Sequence, residues 1–337
     1  MKLVNRKGIS AAVASVAIIG LAAVQDAKAD ALRVGSQFPG THSSSVALKG
    51  AAEDIAKETN NRVTFTLYTD SKLGGAFEVI DQVRTGQVDI DVSGPEWYGR
   101  LVPDLQVLDL PFLINSYKQA YCMIDGQLGK SLEEKVAQKN LVVLGWMVNG
   151  FRHVTNNARP LKSPNDIAGL KIRTPPSNIY LDTFKALGAS PTPIDIKELY
   201  QALQQNVVDG QENPYDNIAV RRFNEVQKHL SNTGHFFAWT WLVANKRSYE
   251  KLSQADRKSL HAVLDKHIAV QRQQAAQLAE DSKKQLVAAG MTYTEIPAAD
   301  FAAFRSKVAP VYDKIRQSVA EPIYTMANKA ADQCKGS

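Results

Sequence analysis

The spacing of apolar positions along the chain switches repeatedly between a period of two and one near 3.6, the mark of strands interleaved with helices. Ala31 to Gly35 is a short apolar stretch that predicts a strand, and the polar segment Gln37 to Ser45 leads into a helix over Ser45 to Thr59. From Arg62 to Thr69 the period is two, with Val63, Phe65 and Leu67 on one side, so a strand with one buried face is predicted. Gly74 and Gly75 open a helix that runs to Arg84, and Val88 to Val92 returns as a strand. Leu141 to Val148 is almost continuously apolar, which predicts a strand buried on both faces, as in a parallel sheet.

A second unit begins near Gly150. Ser163-Pro164-Asn165-Asp166 starts a helix: a capping hydroxyl, Pro in the first turn, and an acid beside the positive end of the dipole. A strand ending at Arg173 follows, then a helix over Asn178 to Leu187 stopped by Gly188, a helix over Ile196 to Gln205, and a short strand at Val207-Val208. His235 to Asn245 is aromatic and apolar and predicts a strand re-entering the first unit. Ser253 to Ala289 contains neither Pro nor Gly, and Ser253 with Asp256 three residues on is a helix-start signature. At 1.5 Å per residue that helix is on the order of 50 Å long, more than one small domain spans. This alternation argues for α/β architecture.

The first 29 residues have a different design. Lys2, Arg6 and Lys7 precede an apolar run from Ile9 to Val24, and Ala27-Lys28-Ala29 is a small-x-small cleavage site. That is the layout of a secretory signal peptide, cut after Ala29, and the run is short of the about 20 residues a spanning helix needs. Removing it lowers the net charge from +6 to +3, because four basic residues and one acid leave with it. So small an excess, with no basic run interleaved with aromatics, does not call for nucleic acid as a partner. The 337 residues, 44% hydrophobic and 22% charged, are ample for two ordinary domains. Cys122 and Cys334 permit one disulfide in an oxidising compartment and equally permit two free thiols.

Catalytic signatures are missing from the sequence: no G-x-S-x-G, no H-E-x-x-H, no G-x-x-x-x-G-K and no G-x-G-x-x-G. The six histidines show no metal-ligand spacing, and His261 and His267 fall on the long helix. Two strand ends carry the candidate chemistry instead. Gly169 to Arg173 closes on a guanidinium, and Asp209 to Pro214 carries Asn213. A guanidinium is a planar fork matched to a carboxylate, and burying one unpaired costs several kcal/mol. Arg173 therefore makes sense mainly as half of a site that a small anion completes, so capture is favoured over chemistry.

With these motifs in view, the chain resembles the DctP-type solute receptors of the tripartite ATP-independent periplasmic (TRAP) transporters. The resemblance rests on Ser71-Lys72-Leu73-Gly74, Pro111-Phe112-Leu113, Gly150-Phe151-Arg152 with Thr155-Asn156, Gly169 to Arg173, and Leu199 to Gln204 running into Val208 to Pro214. Asn206 stands where the family usually has Gly, and Asn is the next-best residue for a left-handed turn. The resemblance implies a two-lobed flytrap with discontinuous domains and a long helix crossing both. Residues 30–150 with about 237–278 would form one domain, and 151–236 with about 279–337 the other.

It further implies that Arg173 clamps the ligand carboxylate, Arg152 assists it, and Asn213 orients the ligand. Glu212 and His235 would support the site through polar networks. Trp97 and Trp239 would wall it, and Gln37 would lie on the first binding loop. For the two tryptophans a place in the core is the competing reading, for Arg152 a salt bridge, and for Asn213 a turn before Pro214. Glu212 is also a candidate for holding a cation, and no metal or other cofactor is assigned. The expected ligand is a small organic acid, a sugar acid such as a uronate ahead of a C4-dicarboxylate. Expected partners are the integral membrane subunits of the transporter, with the receptor itself a monomer in the periplasm. A binding protein of an ATP-driven importer and a periplasmic enzyme acting on an acid are the alternatives.

Overall fold

The computed structural model describes residues 30–336; the signal peptide expected at 1–29 lies outside them. The first lobe opens with β1 (Asp30–Ser36), α1 (Ser43–Glu58), β2 (Val63–Tyr68), α2 (Ala76–Thr85) and β3 (Ile90–Ser93). Two 3₁₀ turns, Pro95–Tyr98 and Pro103–Asp109, lead to α3 (Tyr117–Asp125), α4 (Gln127–Ala137) and the strand β4 (Leu141–Asn156). The second lobe holds α5 (Pro164–Ile167), β5 (Lys171–Thr174), α6 (Asn178–Ala186), β6 (Ser190–Pro193), α7 (Ile196–Gln204), β7 (Gly210–Pro214), α8 (Tyr215–Val220) and β8 (His229–Ser231). The chain then returns through β9 (Phe237–Asn245), α9 (Lys246–Lys251), α10 (Gln254–Ala288), β10 (Thr292–Thr294), α11 (Phe301–Ser318) and α12 (Glu321–Gln333).

One sheet, ordered β2-β1-β3-β9-β4-β7-β5-β6, runs through both lobes, and β4 is the strand they share. Leu141 to Phe151 pairs with β9, whereas Arg152 to Asn156 pairs with β7. The register slips between Val148 and Gly150, where the sheet passes from one lobe to the other. Gly150 has φ +113, and a Cβ there would press on the Tyr117 hydroxyl at 3.1 Å, so both backbone and space call for glycine. The predicted strand at Leu141 to Val148 is thus half of a longer one. Its pairing with β9 is antiparallel, not parallel. The apolar run reflects helices α4 and α10 packed on it rather than strand direction.

Helix α10 behaves as its sequence demands. Ser253 accepts from the Asp256 backbone N–H at 3.0 Å and donates its own hydroxyl to the Asp256 carboxylate at 2.7 Å. Its 35 residues pack on α1 and β4 of the first lobe and on α8 of the second. The expected left-handed turn forms at Asn206, φ 55, but no strand forms at Val207-Val208. Those residues complete the turn closing α7, with the Val207 N–H bonded to the Ala202 carbonyl at 2.9 Å, and the strand starts at Gly210.

The end of the chain departs from the expected division. Helix α11 packs on α6, but α12 packs on α3 and α4, so residues 321–333 sit with the first lobe. Cys334 is bonded to Cys122 on α3, Cα to Cα 5.8 Å, across 212 residues of chain. Closing so long a loop restricts the unfolded chain, so C122S/C334S should lose ~2–5 kcal/mol of stability. Thermal unfolding of that variant, compared with the native protein with and without reductant, measures it.

Candidate functional site

Parallel strands β1 and β3 in the first lobe, and β5 and β7 in the second, end facing one another across a small chamber. That is where α/β sheets place their ligands, since the loops leaving strand ends are free to carry polar groups. The first lobe supplies Gln37 and Phe38 after β1, and Glu96 and Trp97 in the turn after β3. The second supplies Arg152, Arg173, Asn213, Asn217 and Arg221, with Asn149 at the crossover. The side chains nearly fill the chamber: its open volume is ≈ 10 Å³, room for about one water molecule.

The lobes are closed on this chamber. Arg221 Nη2 donates to the Gln37 carbonyl at 2.6 Å, and the Ala76 N–H donates to Asp195, the N-cap of α7, at 3.1 Å. The Ser43 N–H reaches the Asp216 carboxylate at 3.3 Å, and buried His42 lies 3.5 Å from the same group.

The buried cations differ in how they are paired. Arg152 meets Glu212 side-on, with Nη2 2.8 Å from Oε1, while Nε engages the other oxygen. It also stacks over the Tyr180 ring at 5.3 Å. Glu212 takes a further hydrogen bond from His235 Nε2 at 3.1 Å, and Thr233 sits 2.8 Å from the other ring nitrogen. Burial pushes the Glu212 pKa up, but Arg152 and His235 outweigh it and hold the carboxyl below its ordinary range. Burial lowers the His235 pKa, so the ring is neutral and the network assigns its proton to Nε2. Arg152, Glu212 and His235 therefore satisfy one another.

Arg173 has no such partner. It is 1% exposed; Nε donates to the Ile194 carbonyl at 2.8 Å, and among the described residues Nη2 meets no acceptor. Burial depresses its pKa to about 9, an unusual value for a guanidinium and a measure of missing counter-charge. Burial also pushes Arg221 down to about 10, against the attraction of Asp70 3.9 Å from Nη1, and its Nε is unpartnered among the described residues. Gln37 Oε1, Glu96 Oε2, Trp97 Nε1 and Asn217 Oδ1 are likewise buried without partners, and all line this chamber. Buried polar atoms in folded proteins are almost always hydrogen-bonded, so their concentration here marks a surface built to bond something else.

A larger open groove of ≈ 530 Å³ runs past Tyr117, Phe151, His153, Tyr215 and Lys283, but none of the unpartnered buried atoms among the described residues lines it. Among the described residues no group of three or more His, Cys, Asp or Glu is placed to hold a metal ion, and Glu212 is already committed to Arg152 and His235.

Of the residues singled out from sequence, Gln37, Trp97, Arg152, Arg173 and Asn213 line the chamber. Glu212 and His235 stand behind Arg152. Asn213 spends much of its amide on the protein: Nδ2 donates to Gln211, and Oδ1 accepts from Arg152 and Asn217. Trp239 is not in the lining; it belongs to the core, edge-on to Trp146 at 6.2 Å and Phe237 at 5.0 Å. The alternation of β9 places it with Phe237, Trp241 and Val243 in one core cluster, while Leu242 and Ala244 join another. Sequence reasoning missed Glu96, Arg221, Asn149, Phe38 and Asn217. Phe38, Glu96 and Asn149 lie just past the ends of predicted strands, which was the available signal, whereas Asn217 lies within α8 and Arg221 caps its C-terminal end, where no pattern marks them.

Residues 34–318 match the family model for bacterial extracellular solute-binding proteins, family 7, the DctP family. The chain belongs to this family. Its members are substrate-binding receptors for transporters and are not enzymes, which sets aside the periplasmic enzyme weighed from sequence. The receptor is 36% identical over 245 residues to the 2,3-diketo-L-gulonate-binding periplasmic protein YiaO of Escherichia coli, covering 72% of this chain and 75% of that one. The sugar acid binding protein DctPAm of Advenella mimigardefordensis, solved with galactonate, superposes with TM-score 0.89 at 28% identity over 91% of this chain and 99% of its own. A TRAP periplasmic solute binding protein of Chromohalobacter salexigens, solved with D-glucuronate, superposes with TM-score 0.85 at 30% identity over 90% and 99%. The two-lobed fold with its shared strand and crossing helix is that of these receptors. Among the described residues no helix is long and apolar enough to cross a membrane.

Proposed function

We propose that this TRAP receptor captures a hydroxylated organic acid, a sugar acid in chemical class, and docks its carboxylate on Arg173. The observation that carries this is the buried Arg173 guanidinium, facing the chamber with Nη2 unpartnered and no ion pair among the described residues. A carboxylate there accepts charge-assisted hydrogen bonds and neutralises a charge the fold leaves unpaired. The remaining unpartnered atoms, from Gln37, Glu96, Trp97 and Asn217, suit hydroxyl groups, which both donate and accept. Asn213 orients the ligand through the second hydrogen of Nδ2, while Glu212 and His235 hold Arg152 in place. The galactonate and D-glucuronate of the two structural neighbours belong to this class. A C4-dicarboxylate is the second reading, because Arg221 offers a second under-paired guanidinium.

In this account the chain is exported, cleaved after Ala29, and works as a periplasmic monomer. Ligand contacts to both lobes stabilise the closed form, which is then recognised by the integral membrane subunits. A thermal-shift screen over sugar acids, short hydroxy acids and dicarboxylates tests the ligand class. At about 100 times its Kd a true ligand adds ~2.7 kcal/mol of stability. A shift given only by uncharged sugars would defeat the proposal.

A further inference from the structure

Glu96 was invisible to motif reasoning, yet it is the one acid of the first lobe that lines the chamber. It sits in the 3₁₀ turn Pro95–Tyr98, whose position is fixed by Asp91: Tyr98 donates to that buried carboxylate at 2.8 Å, and Ser93 donates to it as well. The Glu96 carboxyl folds back over Gly94, so closely that a methyl group on Gly94 would collide with it. Gly94 has φ −92, which any residue adopts, so what opposes a larger residue there is the Glu96 carboxyl and not the backbone. Glu96 makes no ion pair among the described residues, and Oε2 is buried with no protein donor. Arg152, Arg173 and Glu212 face it from the second lobe, and Asp109 from the turn before α3. Arg152 is already neutralised by Glu212, so it offers Glu96 little beyond long-range attraction.

We propose that Glu96 is the specificity-determining residue of the site: its carboxylate accepts a ligand hydroxyl and repels a second ligand carboxylate. This inference rests on the proposed capture of an acid by Arg173. The chamber then has unlike ends. The guanidinium end binds one carboxylate, and the Glu96 end takes neutral hydrogen-bond donors, which selects polyhydroxy monoacids over dicarboxylates of similar length. Building repulsion against the competitor is an ordinary route to specificity, and an unpaired like charge in a desolvated pocket is a strong form of it. Burial pushes the Glu96 pKa up to about 7, so the carboxylate form dominates at pH 8 and discrimination is sharpest there.

Calorimetric titrations at pH 8 with D-galactonate, D-glucuronate and succinate test this on the native protein, Glu96→Gln, Gly94→Ala and Arg173→Ala. The native protein should prefer the hydroxylated acids. Glu96→Gln keeps the shape but not the charge, and should reduce the preference for hydroxylated acid over succinate by about tenfold or more. Gly94→Ala displaces the carboxylate without removing it, and should weaken binding of the hydroxylated acids by about tenfold. A folded Glu96→Gln with an unchanged preference overturns the proposal, as does a Gly94→Ala protein that binds the hydroxylated acids like the native one. If Arg173→Ala binds these acids as the native protein does, or the native protein binds none of the three, the capture reading itself falls. Loss of binding in Arg173→Ala alongside an unmoved preference in Glu96→Gln refutes only the role of Glu96.

Discussion

Replacing Arg173 with Ala should abolish the stabilisation that an acid ligand gives, while leaving the ligand-free protein as stable as before or more so. The two effects have one cause. At neutral pH Arg173 is a buried cation with no ion pair, and its folded pKa of about 9 lies below the ordinary 12.5. A base depressed in the folded state destabilises the fold at every pH below that folded value, and the penalty fades only as pH rises from about 9 toward 12.5. Removing the charge removes the penalty. With ligand bound the position reverses, since the carboxylate and the guanidinium compensate each other. Losing one member of a buried, hydrogen-bonded charge pair costs ~2–5 kcal/mol, or roughly 30- to 5,000-fold in affinity. Unfolding midpoints of the variant with and without ligand provide both numbers. A ligand-free variant destabilised by several kcal/mol would mean that Arg173 is part of the framework.

The opposite pattern is expected at Glu212, which shares an ion pair with Arg152 in which both side chains are at most 2% exposed. Glu212→Ala leaves Arg152 without its carboxylate, beside Arg173 and Arg221, and strips His235 of the acceptor for its Nε2 proton. Breaking one side of a buried pair costs ~3–5 kcal/mol, enough to threaten the fold at ordinary temperatures. Denaturant unfolding measures it, and a loss below about 1 kcal/mol, the usual worth of a surface pair, would contradict the network. Acid titration reports on the same group. Because the Glu212 pKa is lowered on folding, its stabilisation is complete above the ordinary 4.5 and is lost as pH falls through the folded value. His235, His153 and His42 are depressed by burial, so the unfolded chain takes up protons first and stability begins to fall below about 6.5.

The architecture was legible wherever local chemistry decided it. Period-two alternation at Val63 to Leu67, the capped, glycine-free run of α10 and the turn at Asn206 each reflect forces acting within a few residues. The burial of Arg173 at a strand end was legible too, and Nη2 is without a partner among the described residues. What depended on distant partners was not. The antiparallel pairing of β4 with β9 is set by a strand some ninety residues away. Helix α12 lies on the first lobe because of α3, α4 and Cys122, which its own sequence does not announce. Trp239 looked like a wall residue because aromatic content reports burial and not the face on which burial occurs. Glu96 and Arg221 gained their meaning only when two lobes brought them to one chamber, and no motif connects them along the chain.

The central claim is that Arg173 receives a ligand carboxylate. A crystal structure of the receptor with the acid that gives the largest thermal shift addresses it directly. The account predicts a carboxylate oxygen within about 3 Å of Arg173 Nη2, with Arg152 still paired to Glu212. A ligand whose carboxylate lies elsewhere, with Arg173 Nη2 still unpartnered, would contradict it.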